Sequence, residues 1–529
     1  MLRWFTKGFL LVLLVVSLGC SGSSGTATDT TGTDSQSGDQ GVDVPAVPDS
    51  SDAADTSSAD EGNPIDTPGA DTEEDVVDTD TITPPGAPAQ GLLQLRVTHN
   101  MAEPGCVEQN NCGLDIEVSA AESAAWVEAL SQHSNIPVLH WDRPMPWFAF
   151  SEDPVGDPVQ FYNARMPIEL REYVDAYAAA FSVGGGYLAL TPLNGTRNAV
   201  KPQFVVGGES PVGAECDSMA PDQVFAVDLL GGLEPQDMIL GSTYLNFVRY
   251  MYTRLQPAYL ALGIEVNLYE EGCVDHPGAF DDFATLYHWI YDALRADGVE
   301  IPIFATFTLV DIMGFDENDC QGPGDFAACG SARPDFSSLD PATCFPIHRS
   351  SVDALDEGDR LDILALSYYP DHLRSSVEDD VLTLQSGDSN GDGPCVGVIH
   401  LADVPDPLDH LDLLGWDKPM VFAESGAHSC PVPLYFEPTV PGDDPLVLVL
   451  PGSPARQAHY MTTILDAATA HEMPFVVNAF LNDYPPLSPF VAREGIMPAP
   501  LVALFNTFSC MGIRDAEGNT KGGLPWGSP

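Results

Sequence analysis

From about residue 91 onward the chain alternates short apolar runs with longer amphipathic stretches. The apolar runs cover 92–97, 136–141, 186–191, 260–269, 301–307, 361–370, 419–424 and 474–480. Most are apolar at successive positions, as in a strand buried on both faces of a parallel sheet. Stretches 120–132, 167–181, 241–259, 279–297 and 453–471 carry a helical pattern, with Pro167 opening the second. Strands alternating with helices predict an α/β fold with a parallel sheet. Eight such units over roughly 440 residues fit a (β/α)8 TIM barrel with long loop insertions. The long connections 193–240, 308–360 and 371–418 are expected to shape its cleft. An open doubly wound sheet is the alternative. It is less apt, because no Gly-rich phosphate loop follows any apolar run.

Two of the apolar runs are broken by an acid. The run Leu260-Ala261-Leu262-Gly263-Ile264 meets Glu265, and Met420-Val421-Phe422-Ala423 meets Glu424. A lone carboxylate at the end of a buried strand is costly unless something uses it. In a TIM barrel the strand C-termini and the loops after them build the active site. Two acids so placed are what glycoside hydrolysis requires, one to protonate the leaving oxygen and one to attack or to activate water. As the acid, Glu265 must hold a proton near neutral pH, which burial beside a second carboxylate favours.

The N-terminus changes the picture of where the chain works. Residues 1–20 read as a targeting segment, with basic Arg3 and Lys7 before a short apolar core. Ser17-Leu18-Gly19-Cys20 resembles a bacterial lipobox, which makes Cys20 the lipidation site. Ser21 after it favours the outer membrane, so the expected location is the bacterial cell envelope, lipid-anchored and periplasmic or surface-facing. Residues 21–90 are expected to be a disordered acidic linker. Within 21–88 there are 16 acidic residues and no Lys or Arg, too little apolar surface to offset the entropy of ordering. The glycosidase-like domain then spans 91–529.

Charge excludes some partners. Lys and Arg number 20 against 78 Asp and Glu, a net charge of -58. Nucleic-acid binding is excluded, since phosphate contacts need clustered cations. Polyanions are disfavoured unless a local basic pocket overrides the total. Eleven Cys less Cys20 leave ten, an even set that in an exported chain predicts disulfides. Cys106 and Cys112, and Cys320 and Cys329, are close enough to close small loops. The pairing of Cys216, Cys273, Cys344, Cys395, Cys430 and Cys510 stays open.

Leu366-Ser367-Tyr368-Tyr369-Pro370 and Phe422-Ala423-Glu424-Ser425-Gly426 resemble the sixth-strand and seventh-strand motifs of the endo-β-1,4-galactanases, glycoside hydrolase family 53. The segment from Gly512 to Lys521, with Trp526 beyond, is similar to the closing segment of many such hydrolases. The resemblance lies mostly within 260–529. It implies a (β/α)8 barrel of the large two-Glu clan, with Glu265 as acid/base on strand four and Glu424 as nucleophile on strand seven. Tyr368 is then expected to orient the nucleophile, with Tyr369 beside it. That clan usually keeps an Asn, which contacts the sugar 2-hydroxyl, directly before its acid/base, where Ile264 stands here; Asn267, two residues beyond Glu265, is the substitute sugar-binding amide if the strand end turns. His140, Trp141 and Asp142 end the second strand and are expected to line the sugar site, with Trp141 stacking on a pyranose face. Asn478 joins them from the last strand.

Asp388-Ser389-Asn390-Gly391-Asp392-Gly393 matches the first half of a calcium loop, but Ile399 stands where the closing Glu would be. Asp388, Asn390 and Asp392 are thus candidate ligands of a structural calcium, and no cofactor is required by the chemistry. The expectation is an anchored glycoside hydrolase, endo-acting and retaining, on a polysaccharide or oligosaccharide. The alternative is a non-catalytic glycan-binding or adhesion lipoprotein on a degenerate barrel.

Overall fold

The computed structural model describes residues 87–93, 120–141, 143–205, 208–210, 212–227, 236–314, 347–369, 381–385, 397–400, 407–436, 446–450, 452–483, 502, 506–515 and 518–526. Cys20, Asp142, Asp388, Asn390 and Asp392 lie outside these residues, as do Cys106, Cys112, Cys320, Cys329, Cys344 and Cys395.

Two parallel sheets carry the fold. In the first, β2 (Val138–His140), β3 (Tyr187–Ala189), β4 (Tyr259–Ala261) and β5 (Ile303–Phe304) pair in that order. In the second, β1 (Ala89–Leu92) is followed by β9 (Phe475–Asn478), β8 (Met420–Ser425), β7 (Leu364–Tyr368) and β6 (Thr306–Thr308). The two meet twice. Ala305 alone separates β5 from β6, and a parallel bridge joins Gly91 to Ile136 just before β2. Gly91 is needed at that bridge, because a Cβ would collide with Val138 and press on Ile136 and Val477. β7 is buried at all five positions, which explains why its sequence is apolar without alternation.

Helices run between the strands: α1 (Ala120–Ser131), α2 (Ile168–Phe181), α3 (Leu240–Leu255), α4 (Asn267–Gly272), α5 (Ala279–Ala296), α6 (Ser350–Asp356) and α7 (Pro454–Ala470). The apolar faces of α3 and α5 are buried. The start of α7 is set by Ser453, whose side chain accepts from Arg456 N at 3.1 Å, and by Pro454 in the first turn. Among the described residues no helix is long and apolar enough to cross a membrane.

Three boundaries differ from the sequence reading. The run 260–269 is not one strand: β4 stops at Ala261 and a helix begins at Asn267, so Glu265 lies in the connection. β1 begins at Ala89, three residues earlier than expected. The stretch 301–307 is interrupted at Ala305.

The insertions are also more structured than expected. Strands 381–385 and 397–400, from the β7–β8 connection, join strands 432–436 and 446–450, from the β8–β9 connection, in one antiparallel sheet. Two antiparallel hairpins arise between β3 and α3. All of these additions follow the C-terminal ends of parallel strands. Disulfides Cys216–Cys273 and Cys430–Cys510 tie them down.

Candidate active site

The residues that matter stand at one edge of the two sheets, where every parallel strand ends. After β4 the chain turns sharply at Gly263, where a Cβ would collide with Val266. Ile264 and Val266 are buried in the core, and Glu265 between them is turned away. Its φ is +50°, a left-handed conformation that costs a side-chain-bearing residue about 1–2 kcal/mol. Thr306 offsets that cost. The Glu265 N–H donates to Thr306 Oγ1 at 2.8 Å, and Val266 N donates to Thr306 O at 2.9 Å.

Glu424 is re-aimed by a β-bulge. Leu366 pairs with Phe422, but Ser367 pairs with Glu424, so Ala423 is the extra residue. The register against β9 shifts over the same stretch, from Phe422 opposite Val476 to Ser425 opposite Asn478. Bulges of this kind recur where a strand end must redirect a side chain. Each Glu424 oxygen has a neighbour. Tyr369 Oη donates to Oε1, and His140 Nδ1 lies 3.6 Å from Oε2. His140 ends β2 and packs edge-on against Tyr187.

Glu265 and Glu424 are linked step by step across the strands. Glu265 binds Thr306; Thr308 pairs with Ser367 in β7; Ser367 pairs with Glu424 in β8. The two acids are therefore three strands apart on the same edge of the sheets. Both are mostly buried, with side-chain exposures of 13% for Glu265 and 15% for Glu424.

The other expected residues separate by strand face. His140 joins Glu424, but Trp141, one position on, is fully buried between Tyr173 of α2 and Phe247 of α3. It faces the helix layer and is not placed to stack on a sugar, because successive strand side chains point to opposite faces. The same alternation exchanges the two tyrosines. Tyr368 packs on Tyr460 of α7, and its carbonyl accepts from Tyr460 Oη at 3.1 Å; Tyr369 is the one on the nucleophile candidate. Asn267 is engaged by β6, its Oδ1 accepting from Thr308 N at 2.9 Å and its Nδ2 donating to Thr308 Oγ1 at 2.7 Å. It clamps the turn and does not stand in for an Asn before Glu265. Asn478 is buried, with Nδ2 directed at Phe480 O and Met511 O.

Arg197 was not foreseen. It lies in the connection after β3, is mostly buried, and has φ +56°. Its guanidinium donates to Glu265 Oε2 at 3.3 Å and to Asn194 O at 3.0 Å. The run Asn194-Gly195-Thr196-Arg197-Asn198, polar and directly after an apolar strand, was the available signal. Asn194 and Asn198 lock this turn through side-chain bonds, and Asn198 O accepts from Cys216 N at 2.6 Å. The Cys216–Cys273 disulfide then ties the turn to the residue after α4.

Behind Glu424 the closing segment is held by a buried ion pair. Lys521 Nζ donates to Asp483 Oδ1 at 2.8 Å, Ser429 Oγ at 2.6 Å and Gly512 O at 2.7 Å. Burial raises the Asp483 carboxyl and lowers the Lys521 ammonium from their usual ranges, and each partner's charge opposes the other's shift. Among the described residues no group of three His, Cys, Asp or Glu is arranged to hold a metal.

No protein-family model matches the chain, and no curated protein matches its sequence. Solved structures that resemble it include glycoside hydrolases. An exo-β-1,4-mannosidase from Opitutaceae bacterium strain TAV5 shares 14% identity at a TM-score of 0.40, over 83% of this chain and 57% of the mannosidase. Fungal β-1,4-galactanase shares 13% at 0.36, over 80% of this chain and 99% of that one. The family 53 catalytic domain from Ignisphaera aggregans shares 14% at 0.36, over 81% and 94%. The chain thus spans a little over half the length of the mannosidase it resembles.

Proposed function

We propose that the two parallel sheets are halves of one (β/α)8 barrel and that its C-terminal end is the active site of a retaining glycoside hydrolase. The barrel reading is supported by the order of neighbours. The bridge at Gly91–Ile136 and the continuity through Ala305 leave each strand with a parallel neighbour on both sides. The observation that carries the enzymatic reading is the pair Glu265 and Glu424. They lie on one edge, three strands apart, with Glu424 addressed by Tyr369 and His140. In this reading a Glu424 oxygen attacks the anomeric carbon while Glu265 gives its proton to the leaving oxygen. Glu265 then takes a proton from water, which releases the sugar. Hydrogen bonding by Tyr369 holds Glu424 for attack.

The substrate is a polysaccharide or oligosaccharide, cleaved internally. The protein works from a lipid anchor at Cys20 on the outer membrane, spaced by residues 21–90. Loss of the protein from the membrane fraction in Cys20→Ser tests the anchor.

Purified protein incubated with neutral and acidic polysaccharides should release reducing ends. Glu424→Gln and Glu265→Gln should each lower the rate by at least about 10²–10⁴-fold. The first product seen by NMR should keep the anomeric configuration of the substrate. Inversion would remove the nucleophile role from Glu424. The second reading, a glycan-binding lipoprotein, is favoured by one observation: Glu265 is ion-paired to Arg197 and preceded by the buried Ile264. Binding without any reducing-end release by the unsubstituted protein would establish it.

A further inference from the structure

Arg197 is placed at the one carboxyl that the proposed chemistry needs protonated. A guanidinium beside a carboxyl group favours its ionised form, which is the wrong form for a general acid. The contact is nonetheless a loose one. A single N–H reaches Glu265 Oε2 at 3.3 Å, whereas charge-assisted bonds of this kind settle at about 2.7–2.9 Å and prefer two parallel N–H donors. The guanidinium is also under-used. Of the five N–H donors an Arg side chain offers, one goes to Asn194 O and one to Glu265, and Nε has no partner among the described residues. The side chain is only 8% exposed, and a buried cation with idle donors is costly. Its backbone sits in the left-handed region and is locked there by Asn194, Asn198 and the Cys216–Cys273 disulfide. Strain that is so firmly held concentrates at functional positions. The placement is notable in a chain with 20 basic residues against 78 acidic ones.

We propose that the sugar beside the scissile bond carries an anionic group, a carboxylate or a sulfate, and that Arg197 receives it. This deepens the glycosidase reading and rests on Glu265 being its acid. The substrate oxygens take the guanidinium in a two-pronged pair and draw it off Glu265. Relieved of the cation, Glu265 holds a proton. That proton passes to the leaving oxygen as the C1–O bond breaks and the bond from C1 to Glu424 forms. An anionic glycan is then bound and switches on its own acid, while a neutral glycan leaves Glu265 in its ion pair. The net negative charge of the chain does not forbid this, since at physiological salt fields are screened over about 8 Å and the anion would meet the guanidinium directly.

The test uses the full chain carrying Glu424→Gln, which binds without turnover, and calorimetric titration with three short oligosaccharides: a neutral galactan, a uronate and a sulfated galactan. One anionic class should bind about tenfold or more tighter than the neutral one, the gain expected of a charge-assisted pair. The class that does so separates carboxylate from sulfate. Arg197→Gln should abolish the preference and Arg197→Lys should keep part of it, with melting midpoint and near-UV circular dichroism reporting the fold. Equal or tighter binding of the neutral sugar by the protein with Arg197 intact overturns the proposal, even where Arg197→Gln does not fold. So does a folded Arg197→Gln protein that keeps the preference. Hydrolysis of neutral glycans alone, without anionic preference, overturns it and spares the glycosidase reading. Arg197-dependent binding of an anionic glycan that the unsubstituted protein never cleaves overturns the switching of Glu265 together with the glycosidase reading, and leaves Arg197 only as the receiver of the anion.

Discussion

A tyrosine hydroxyl on a catalytic carboxylate does two things: it fixes which oxygen attacks, and it competes for the charge that the attack consumes. Tyr369 Oη is on Glu424 Oε1, so Tyr369→Phe removes a bond to a charged group and little packing. The expected result is a fall in kcat of roughly 10–100-fold, from about 1.5–3 kcal/mol for such a bond, with an unshifted melting midpoint. Tyr368→Phe should leave kcat within about threefold, since the Tyr368 ring packs on Tyr460 in the helix layer and conservative changes away from the chemistry cost little. Steady-state kinetics on both variants decides which tyrosine serves the site. The Ser-Tyr-Tyr-Pro motif names both tyrosines, and only Tyr369 reaches Glu424. A strand's alternation assigns opposite faces to neighbours, and motif resemblance alone does not say which neighbour faces inward. The same uncertainty misassigned Trp141, which is as apolar and aromatic as a sugar platform and as a core residue, and is used here as core.

At the scale of elements, the five helical stretches read from the sequence match α1, α2, α3, α5 and α7 to within a few residues because amphipathic faces and caps are local, whereas α4 and α6 lie where the sequence reads as strand and loop. Ser453-Pro454 starts α7 as its sequence states. The strand ends were less legible. The bulge at Ala423, the turn at Gly263 and the break at Ala305 depend on what the neighbouring strand does, which no local pattern contains. Arg197 was missed for a related reason: its contact with Glu265 comes from a loop tied down by a disulfide whose pairing the spacing left open. That staple makes a prediction at its own scale. Cys216 and Cys273 are 57 residues apart, and removing a native disulfide of such span costs about 2–5 kcal/mol. The Cys216→Ser/Cys273→Ser protein should lose that much in denaturant titration. Because the Arg197 turn hangs from Cys216, KM should rise as well. A stability loss with KM unchanged would show that the Asn194 and Asn198 bonds alone hold the turn.

For the whole molecule, the question is what closes the chain back onto the site. The closing segment reaches the connections after β8 and β9 through Lys521 and Asp483, whose side chains are 12% and 11% exposed, and through Gln457 Nε2, which donates to Ala427 O, Met511 O and Gly512 O. Breaking a buried pair on one side leaves an uncompensated charge, so Lys521→Met should cost about 3–5 kcal/mol, whereas replacing both partners by apolar groups of similar size is often near neutral. The loss should depend on pH with a definite sign. Burial already raises Asp483 above the usual carboxylate range, and the lysine opposes that rise; without Lys521 the folded-state value climbs further. An acid whose folded value exceeds its unfolded value of about 3.9 binds more protons folded than unfolded between the two, so stability falls as pH rises through that window. Denaturant titrations should therefore show the Lys521→Met deficit growing as pH is raised above the usual carboxylate range. The double variant Asp483→Leu/Lys521→Met should lack that growth and recover part of the loss. A deficit that is flat with pH in the single variant would mean that Lys521 acts through its bonds to Ser429 and the Gly512 carbonyl, and not as the counter-charge of Asp483.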